Sequence, residues 1–395
     1  MRPPAPEDTS FVGASPPHFA CSPSTFYEAA RCPLKFVRDG ATPLPSLPWN
    51  VHGTVVHRLI ASPPTDADFE LAYDRVLRQE LERASETQSR EPWLAAFSRE
   101  DASGRPLLEI PNFAVRRADG IALARRFAGH SGQPSACPTQ DQELRETQVS
   151  AGSIRASVDL LSEAGGLLVA TDFKTGAIHD PESPDVAVKP QYQAQLLIYA
   201  AMIHLTHARW PDKIRLVSSD GTTHEEPVDR TRAQALLDRC TVLRDETEAM
   251  LAEGKLAQLA LGTANGACGT CTRRHRCPAI SKALAANGFV KHGAGAAERF
   301  DLRGRVVSVA HAGGRSWLDV DVGVSSPLYT RVLDLLRSKP KGVIPSLTQD
   351  TTIRIFGLRG NHRTDVQNQD EIPRSFDALD TTFIDVAAEP TYETA

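Results

Sequence analysis

The chain has 395 residues, of which 41% are hydrophobic and 24% are charged. These proportions are typical of a globular protein, and the length allows two or three domains with a sizeable core. A net charge of -5 gives no global attraction for nucleic acid, and no apolar run is long enough to span a membrane. The first residues lack the basic start and apolar core of a signal peptide, so we expect a cytoplasmic protein.

The N-terminal part of the sequence predicts a disordered segment followed by helices. Residues 1–20 are rich in proline and polar side chains, and we expect them to be disordered. A helix is predicted over 22–36 with Ser24 as its cap. A second helix is predicted to start at Thr54, which places His57 near its beginning. The helices predicted next cover 66–84 and 112–127.

The middle of the chain alternates predicted strands and helices. Gly165-Gly166 is typical of a two-residue hairpin turn between strands at 153–161 and 167–174. The elements predicted after this hairpin are a helix at 191–205, a strand at 214–218 and a helix at 229–253. A Gly/Ala-rich linker is predicted at 285–297. This mixture of strands and helices predicts an α/β core.

The C-terminal region predicts a separate β-rich module. Short strands are predicted at 304–309, 316–322 and 352–357, with Gly313-Gly314 as a turn. Residues 299–363 contain eleven Lys/Arg and five Asp, whereas residues 364–395 contain eight acidic residues and one Arg. An OB-like β-barrel with a basic groove would stack single-stranded bases on aromatic residues, for which Trp317, Tyr329 and Phe356 are candidates. The alternative is a small packing module with core aromatics and an acidic, disordered tail.

Two aspartates are predicted to face each other across the hairpin. With a two-residue turn, Asp159 lies opposite Asp172, and like charges there repel unless a cation bridges them. Lys174 shares the strand face of Asp172, while Phe173 points into the core. Two carboxylates suit Mg²⁺ or Mn²⁺, and the lysine could orient a water molecule or stabilise phosphate charge. The alternative is a pair of solvated aspartates beside a surface lysine.

Four of the seven cysteines form a candidate metal site. Cys268, Cys271 and Cys277 are closely spaced, and Cys32, which also precedes a proline, is the best candidate for a fourth ligand. In a reducing compartment, clustered cysteines are more often metal ligands than disulfides. Zinc and unliganded core cysteines are the alternatives to an iron–sulfur cluster. The basic residues between Cys271 and Cys277 could bind phosphates or simply be solvated: Arg273, Arg274, His275 and Arg276.

An ordered series of motifs resembles the PD-(D/E)xK nuclease superfamily, in its RecB/AddB-like branch with an iron–sulfur cluster. The resemblance covers residues 20–280. The motifs, in order, are Ser22-Pro-Ser-Thr-Phe, Arg31-Cys-Pro-Leu-Lys-Phe, Gly53-Thr-Val-Val-His57, Ser157-Val-Asp159, Asp172-Phe-Lys-Thr-Gly176, Gln195-Leu-Leu-Ile-Tyr199 and the cysteine group ending at Cys277. One departure from the family pattern is Ala156, where the family often has glycine.

The resemblance implies roles for individual residues. His57, Asp159 and Asp172 would hold Mg²⁺ or Mn²⁺ with the backbone carbonyl of Phe173, and Lys174 would position the nucleophile. Gln195 and Tyr199 would line the active site and touch the substrate. Cys32, Cys268, Cys271 and Cys277 would hold a 4Fe-4S cluster, with Zn²⁺ as the alternative. A further carboxylate could come from Glu143 or Glu146, between which the sequence does not decide.

The expected fold is a restriction-endonuclease-like core, with a mixed central sheet between helices, stapled by the cluster and followed by the OB-like module. The expected segments are 1–20, 21–284 (nuclease), 285–297 (linker), 298–363 (OB-like) and 364–395 (acidic tail). The expected function is a metal-dependent deoxyribonuclease, an exonuclease rather than an endonuclease, acting on single strands or DNA ends in repair, recombination or phage defence. No P-loop motif is present, so the protein is expected either to act alone on ends or single strands, or to be supplied with DNA by a separate helicase or a defence or repair complex. A non-catalytic DNA-binding scaffold and an iron–sulfur redox sensor are the alternatives.

Overall fold

The computed structural model describes most of the chain. The described residues are 17–38, 48–65, 68–88, 99–100, 104–108, 110, 112–127, 143–179, 187–261, 268–292, 299–312, 315–323, 330–333, 349–360, 375–377 and 383–386. The predicted turn at Gly313-Gly314, Tyr329 and most of 1–20 and of 364–395 lie outside these residues. None of the helices in the described part of the chain has both the length and the apolar character needed to cross a membrane.

The described residues form seven α-helices and sixteen strands. The helices are α1 (Pro23–Arg31), α2 (Pro48–Ala61), α3 (Phe69–Gln88), α4 (Phe113–Phe127), α5 (Pro190–His207), α6 (Arg230–Ala252) and α7 (Pro278–Asn287). The strands are β1 (His18–Phe19), β2 (Val37–Arg38), β3 (Arg99–Glu100), β4 (Pro106–Leu107), β5 (Glu143–Ala151), β6 (Ile154–Ala164), β7 (Leu167–Lys174), β8 (Lys213–Ser218), β9 (Thr223–Pro227), β10 (Phe289–His292), β11 (Arg299–Ala312), β12 (Arg315–Asp321), β13 (Thr330–Leu333), β14 (Thr352–Gly360), β15 (Ser375–Asp377) and β16 (Phe383–Val386).

The centre of the molecule is a five-stranded mixed sheet in the order β5-β6-β7-β8-β9. Only β7 and β8 are parallel, and α5 makes the crossover that a parallel pair requires. Helix α5 is buried at ten consecutive positions, Ala194 to Ile203, which explains why its sequence is apolar almost all round. This arrangement confirms the predicted α/β core with helices flanking a mixed sheet.

The two faces of the central sheet pack against different helices. One core joins the sheet to α1, α5 and α6 through residues such as Leu168 and Ala170 of β7. The other joins it to α2, α3 and α4, and there β7 contributes Phe173. The alternation of side chains along a strand therefore sends Phe173 into the core, as predicted, and directs Asp172 towards α5.

The C-terminal strands form a second sheet, in which an additional strand pair closes a ring of five strands. The order is β10-β11-β12-β13-β15-β14-β16, and β14 pairs with β11 as well. Only β13 and β15 are parallel. Gly304 allows β11 to pass close to β12, because a Cβ there would lie 2.5 Å from the Asp321 carbonyl oxygen. The core of this sheet comprises Phe300, Leu302, Val306, Leu318, Val320, Ile353, Ile355 and Leu358.

The predicted cap of the first helix and the predicted start of the second were wrong. Helix α1 is preceded by Ser22, not capped by Ser24, and the Ser22 N–H donates to the Thr25 hydroxyl at 2.8 Å. The helix ends at Arg31 because Cys32 precedes a proline and adopts an extended conformation. Helix α2 begins before Thr54, whose hydroxyl donates to the Asn50 carbonyl, so His57 lies in the later part of that helix.

Several segments predicted to lack structure contain regular elements. Helix α7 extends into the predicted linker 285–297, which also contains β10. Strands β15 and β16 lie within the predicted acidic tail, and β1 within the predicted disordered N-terminus. These strands are only two to four residues long, and each contains at least one aromatic residue, whereas proline, glycine or acidic residues dominate the surrounding composition. Strands β5 and β9 were also missed.

Candidate active site

The hairpin of β6 and β7 has the predicted register. Pairs run from Ala164 opposite Leu167 to Leu160 opposite Thr171, one step short of Asp159 and Asp172. At the next position the Asp159 carboxylate accepts a hydrogen bond of 2.7 Å from the Phe173 N–H. The two aspartates therefore lie on neighbouring strands at the point where the regular ladder ends.

Asp172 and Lys174 form a buried ion pair. The Lys174 Nζ lies 2.7 Å from the Asp172 Oδ2, and the Asp172 side chain is only 3% exposed. Burial raises the pKa of Asp172 above its usual value, although Lys174 opposes this effect. Burial would lower the pKa of Lys174, but Asp172 outweighs it and the pKa is raised. The lysine is therefore held as a cation next to a carboxylate in a region with little solvent.

One amide side chain joins this pair to α5. The Gln195 Oε1 accepts a hydrogen bond of 2.9 Å from Lys174, while its Nε2 donates to Asp172 at 2.8 Å and to the Tyr199 hydroxyl at 3.1 Å. Both α5 side chains are almost fully buried. The structure thus brings Gln195 into contact with the Asp172–Lys174 pair, and Tyr199 contacts the amide of Gln195.

A second group of ligand atoms lies next to this pair. The His57 Nδ1 lies 3.3 Å from the Asp159 Oδ1. One ligand atom from each of His57, Asp159 and Glu146 lies within 4.8 Å of the other two. Burial lowers the pKa of His57, but the Asp159 carboxylate outweighs it and the pKa is raised to about 9. Nitrogen and carboxylate oxygen atoms at this spacing could hold a divalent cation such as Mg²⁺ or Mn²⁺.

Glu146 is the carboxylate that the sequence did not single out. The β5–β6 register has Arg145 opposite Leu160 and Thr147 opposite Val158, which leaves Glu146 opposite Asp159. Its backbone has a positive φ of 47°, a conformation that is uncommon for a residue other than glycine. The Ser157 hydroxyl donates to its Oε2 at 2.7 Å.

Glu143 is the first residue of β5, three positions before Glu146, and lies opposite Ser162. Recognition of β5 as a strand paired with β6 would therefore have distinguished the two glutamates.

The four cysteines predicted as ligands line one cavity. Cys32 comes from the end of α1 and the other three from the segment before α7, and all four are buried and free of disulfides. Lys35 and Arg274 are among the residues that complete the lining. Four thiols around one enclosed space are a donor set that suits a structural zinc ion or an iron–sulfur cluster. Burial raises the pKa of Cys268 to about 12, so binding of a metal there would displace a proton.

The basic residues of the cysteine segment are not the exposed phosphate contacts that the sequence allowed. Arg273, Arg274 and His275 are buried, and only Arg276 of this run is exposed. Arg274 donates to the carbonyl oxygens of Cys268 at 3.2 Å and Cys271 at 2.7 Å. Phe356 was also wrong as a stacking platform, because its side chain is buried.

Comparison with known families gives a match that covers the central sheet and the cysteine segment. The profile of the PD-(D/E)XK nuclease superfamily matches residues 20–278, which is more than half of the chain. The chain therefore belongs to the PD-(D/E)XK nuclease superfamily. No curated protein gives a significant match to it.

The matched range includes every residue of the candidate active site and the four clustered cysteines. Members of this superfamily are typically metal-dependent nucleases, and the acidic group at His57 is a candidate site for the divalent ion. Membership implies DNA as the substrate.

Proposed function

We propose that this protein is a metal-dependent deoxyribonuclease that hydrolyses phosphodiester bonds in single strands or at DNA ends. The observation that carries the proposal is the juxtaposition of the His57–Glu146–Asp159 group with the buried Asp172–Lys174 pair. Hydrolysis of an anionic phosphodiester needs positive charge around the phosphate. The carboxylates would hold a divalent cation there, and the buried Lys174 ammonium would supply a second positive charge.

His57, Glu146, Asp159 and Asp172 would hold Mg²⁺ or Mn²⁺, with the Phe173 carbonyl as a further ligand. When bound, the ion would supply Lewis-acid stabilisation of charge on the phosphodiester. The Phe173 N–H orients the Asp159 carboxylate. Lys174 positions the attacking water and stabilises negative charge on the phosphate, and its hydrogen bond to Gln195 holds the ammonium in place. The expected products carry a 5′-phosphate and a 3′-hydroxyl.

Cleavage of labelled single-stranded and duplex DNA by the purified protein tests this proposal. We expect cleavage with Mg²⁺ or Mn²⁺, none with EDTA, and a loss of at least about 100-fold in Lys174→Ala. Lys213→Ala is the matched control, because Lys213 is a partly exposed lysine of β8 that pairs with Glu225. Metal-dependent cleavage that survives in Lys174→Ala would contradict the assigned role. Wild-type protein that binds DNA and never cleaves it would favour the non-catalytic scaffold.

End-labelled, internally labelled and circular single-stranded DNA distinguish the mode of cleavage. We propose exonuclease action, so circles should resist cleavage and linear strands should release short products from an end. Cleavage of circles would show an endonuclease. A separate helicase, or a repair or defence complex, would deliver single strands to this site, because the chain has no P-loop motif.

We further propose that Cys32, Cys268, Cys271 and Cys277 hold a 4Fe-4S cluster. The support is that four buried thiols, one from the end of α1 and three from the segment before α7, line one cavity. Four cysteine thiolates are a ligand set for a 4Fe-4S cluster, and a structural zinc ion is the alternative. Iron, sulfide and zinc analysis of the purified protein tests the proposal, and zinc without iron or sulfide would overturn it.

The C-terminal sheet is proposed to be an OB-like barrel. The support is its topology: pairing passes from β11 through β12, β13, β15 and β14 back to β11, with β13 and β15 parallel. Five strands closed in this way match a Greek-key barrel of the OB type. Trp317 alternates on β12 with the buried Leu318, and the residues two positions from it on the strand are Arg315 and Asp319.

A further inference from the structure

Trp49 presents an exposed indole on the helix that carries His57. The Trp49 side chain belongs to the second residue of α2 and is 38% exposed. Trp49, Gly53 and His57 are spaced four residues apart, so they form one row along the helix. The fully buried residues of α2 occupy other positions: His52, Val55, Val56, Leu59 and Ile60. The indole and the imidazole therefore lie on the same helical row, about two turns of helix apart.

Gly53 lies in the middle of this row, and Thr175 packs over it. A Cβ atom at Gly53 would lie 3.5 Å from the Thr175 Oγ1, and Thr175 directly follows Lys174. The row therefore runs past the chain segment that leaves the Asp172–Lys174 pair. Eight residues of helix separate Trp49 from His57, which is about 12 Å at a rise of about 1.5 Å per residue. An extended molecule that joins His57 to Trp49 would pass over Thr175.

An arginine lies against the indole. The Arg116 guanidinium is 4.4 Å from the centroid of the Trp49 ring. This cation–π contact orients the indole and places positive charge beside it. An exposed indole next to a guanidinium is the chemistry that binds single-stranded nucleic acid, in which a base stacks on the ring and a nearby cation attracts the phosphate.

We propose that Trp49 and Arg116 form a stacking site for one base of a single-stranded DNA substrate. The proposal rests on the nuclease function proposed above and deepens it. At about 3.4 Å per nucleotide in a stacked strand, the site lies about three or four nucleotides from the cleaved phosphate. A base in a duplex is already stacked between its neighbours, so this site favours a single strand over a blunt duplex.

Binding of fluorescein-labelled oligonucleotides in EDTA tests the proposal without cleavage. We expect Trp49→Ala to weaken binding of a single strand by about 5- to 100-fold, as for other base–aromatic stacks. Trp49→Phe retains a ring and should stay within about threefold of the wild type. Tyr27→Ala is the matched control, because Tyr27 is an aromatic residue of α1 with a similar exposure of 37%. Unchanged binding by Trp49→Ala would overturn the proposal, and so would an equal loss for a blunt duplex.

Tryptophan fluorescence gives a second measurement that does not depend on the folding of Trp49→Ala. The chain has four tryptophans, and we expect a single strand to quench the Trp49 contribution, so that Trp49→Phe shows less quenching. Undiminished quenching in Trp49→Phe would overturn the proposal. Failure of the nuclease proposal can be distinguished from failure of the stacking proposal. If only the nuclease proposal fails, the wild-type protein binds single strands in a Trp49-dependent way and shows no metal-dependent cleavage.

Discussion

Asp301 of β11 accepts a hydrogen bond of 2.9 Å from Arg274 of the cysteine segment, and its side chain is completely buried. The other Asp301 oxygen accepts from the Gly357 N–H at 2.9 Å, and the His292 ring lies 2.7 Å from the carboxylate. Arg274 in turn binds the backbone of two cysteines that line the candidate metal cavity. The C-terminal sheet and the cysteine segment are therefore joined through one buried carboxylate.

Asp301→Asn should weaken the contact that joins the cysteine segment to the C-terminal sheet. The substitution leaves the Arg274 guanidinium buried without its counter-ion, and breaking a buried ion pair costs about 3–5 kcal/mol. We expect a lower thermal midpoint and a substoichiometric content of metal in the purified protein, measured by calorimetry and metal analysis. Asp321→Asn is the matched control, since Asp321 pairs with Arg305 at the surface of the same sheet. Full metal content in Asp301→Asn would show that the cysteine segment folds independently of β11.

Gln195→Ala should slow cleavage while leaving substrate binding nearly intact. Without the amide, Lys174 loses an acceptor and Asp172 loses a donor, so the ammonium is less precisely placed. We expect kcat to fall by about 10- to 100-fold with little change in KM. The matched control is Gln193→Ala, because Gln193 is on the same helix and contacts Glu226 and Arg232 instead. A rise in KM with unchanged kcat would indicate a substrate contact in place of a positioning role.

The sequence predicted the central hairpin well and the carboxylate set incompletely. Gly165-Gly166 defines the turn, and counting outward from it placed Asp172, Phe173 and Lys174 on their correct faces. Glu146 was left undecided because its strand is polar and its backbone departs from regular strand geometry, so alternation of side chains does not reveal it.

The link between Arg274 and Asp301 was not predictable either. These two residues are 27 positions apart, and their segments meet only through the folded arrangement of α7, β10 and β11. The Gly/Ala-rich composition of 285–297 indicated a linker and concealed a strand whose Val290 and His292 are buried. The composition of a segment gives only its average polarity. A short strand can form when every second residue is buried, as Val290 and His292 are here.

Glu146→Gln should weaken binding of a divalent cation more than Glu143→Gln does. Glu146 shares the ligand group of His57 and Asp159, whereas Glu143 is outside that group and lies near Arg145. Loss of one anionic oxygen ligand should weaken Mn²⁺ binding by at least about tenfold, measured by titration calorimetry without DNA. Equal affinities of the two variants would exclude Glu146 from the site.

Binding of Mn²⁺ should also tighten as the pH rises. In the metal-free protein the pKa of His57 is raised from 6.5 to about 9, chiefly because Asp159 outweighs the effect of burial. The protonated imidazole therefore stabilises the metal-free fold fully below about pH 6.5, and this contribution is lost as the pH rises through about 9. A metal ion needs the neutral ring, so it must displace this proton at any lower pH. We expect the Kd for Mn²⁺ to fall by up to about tenfold per pH unit between pH 7 and 9 and to level off above that. His57→Gln should flatten the profile over this range, and an unchanged slope in this variant would show that another group binds the competing proton.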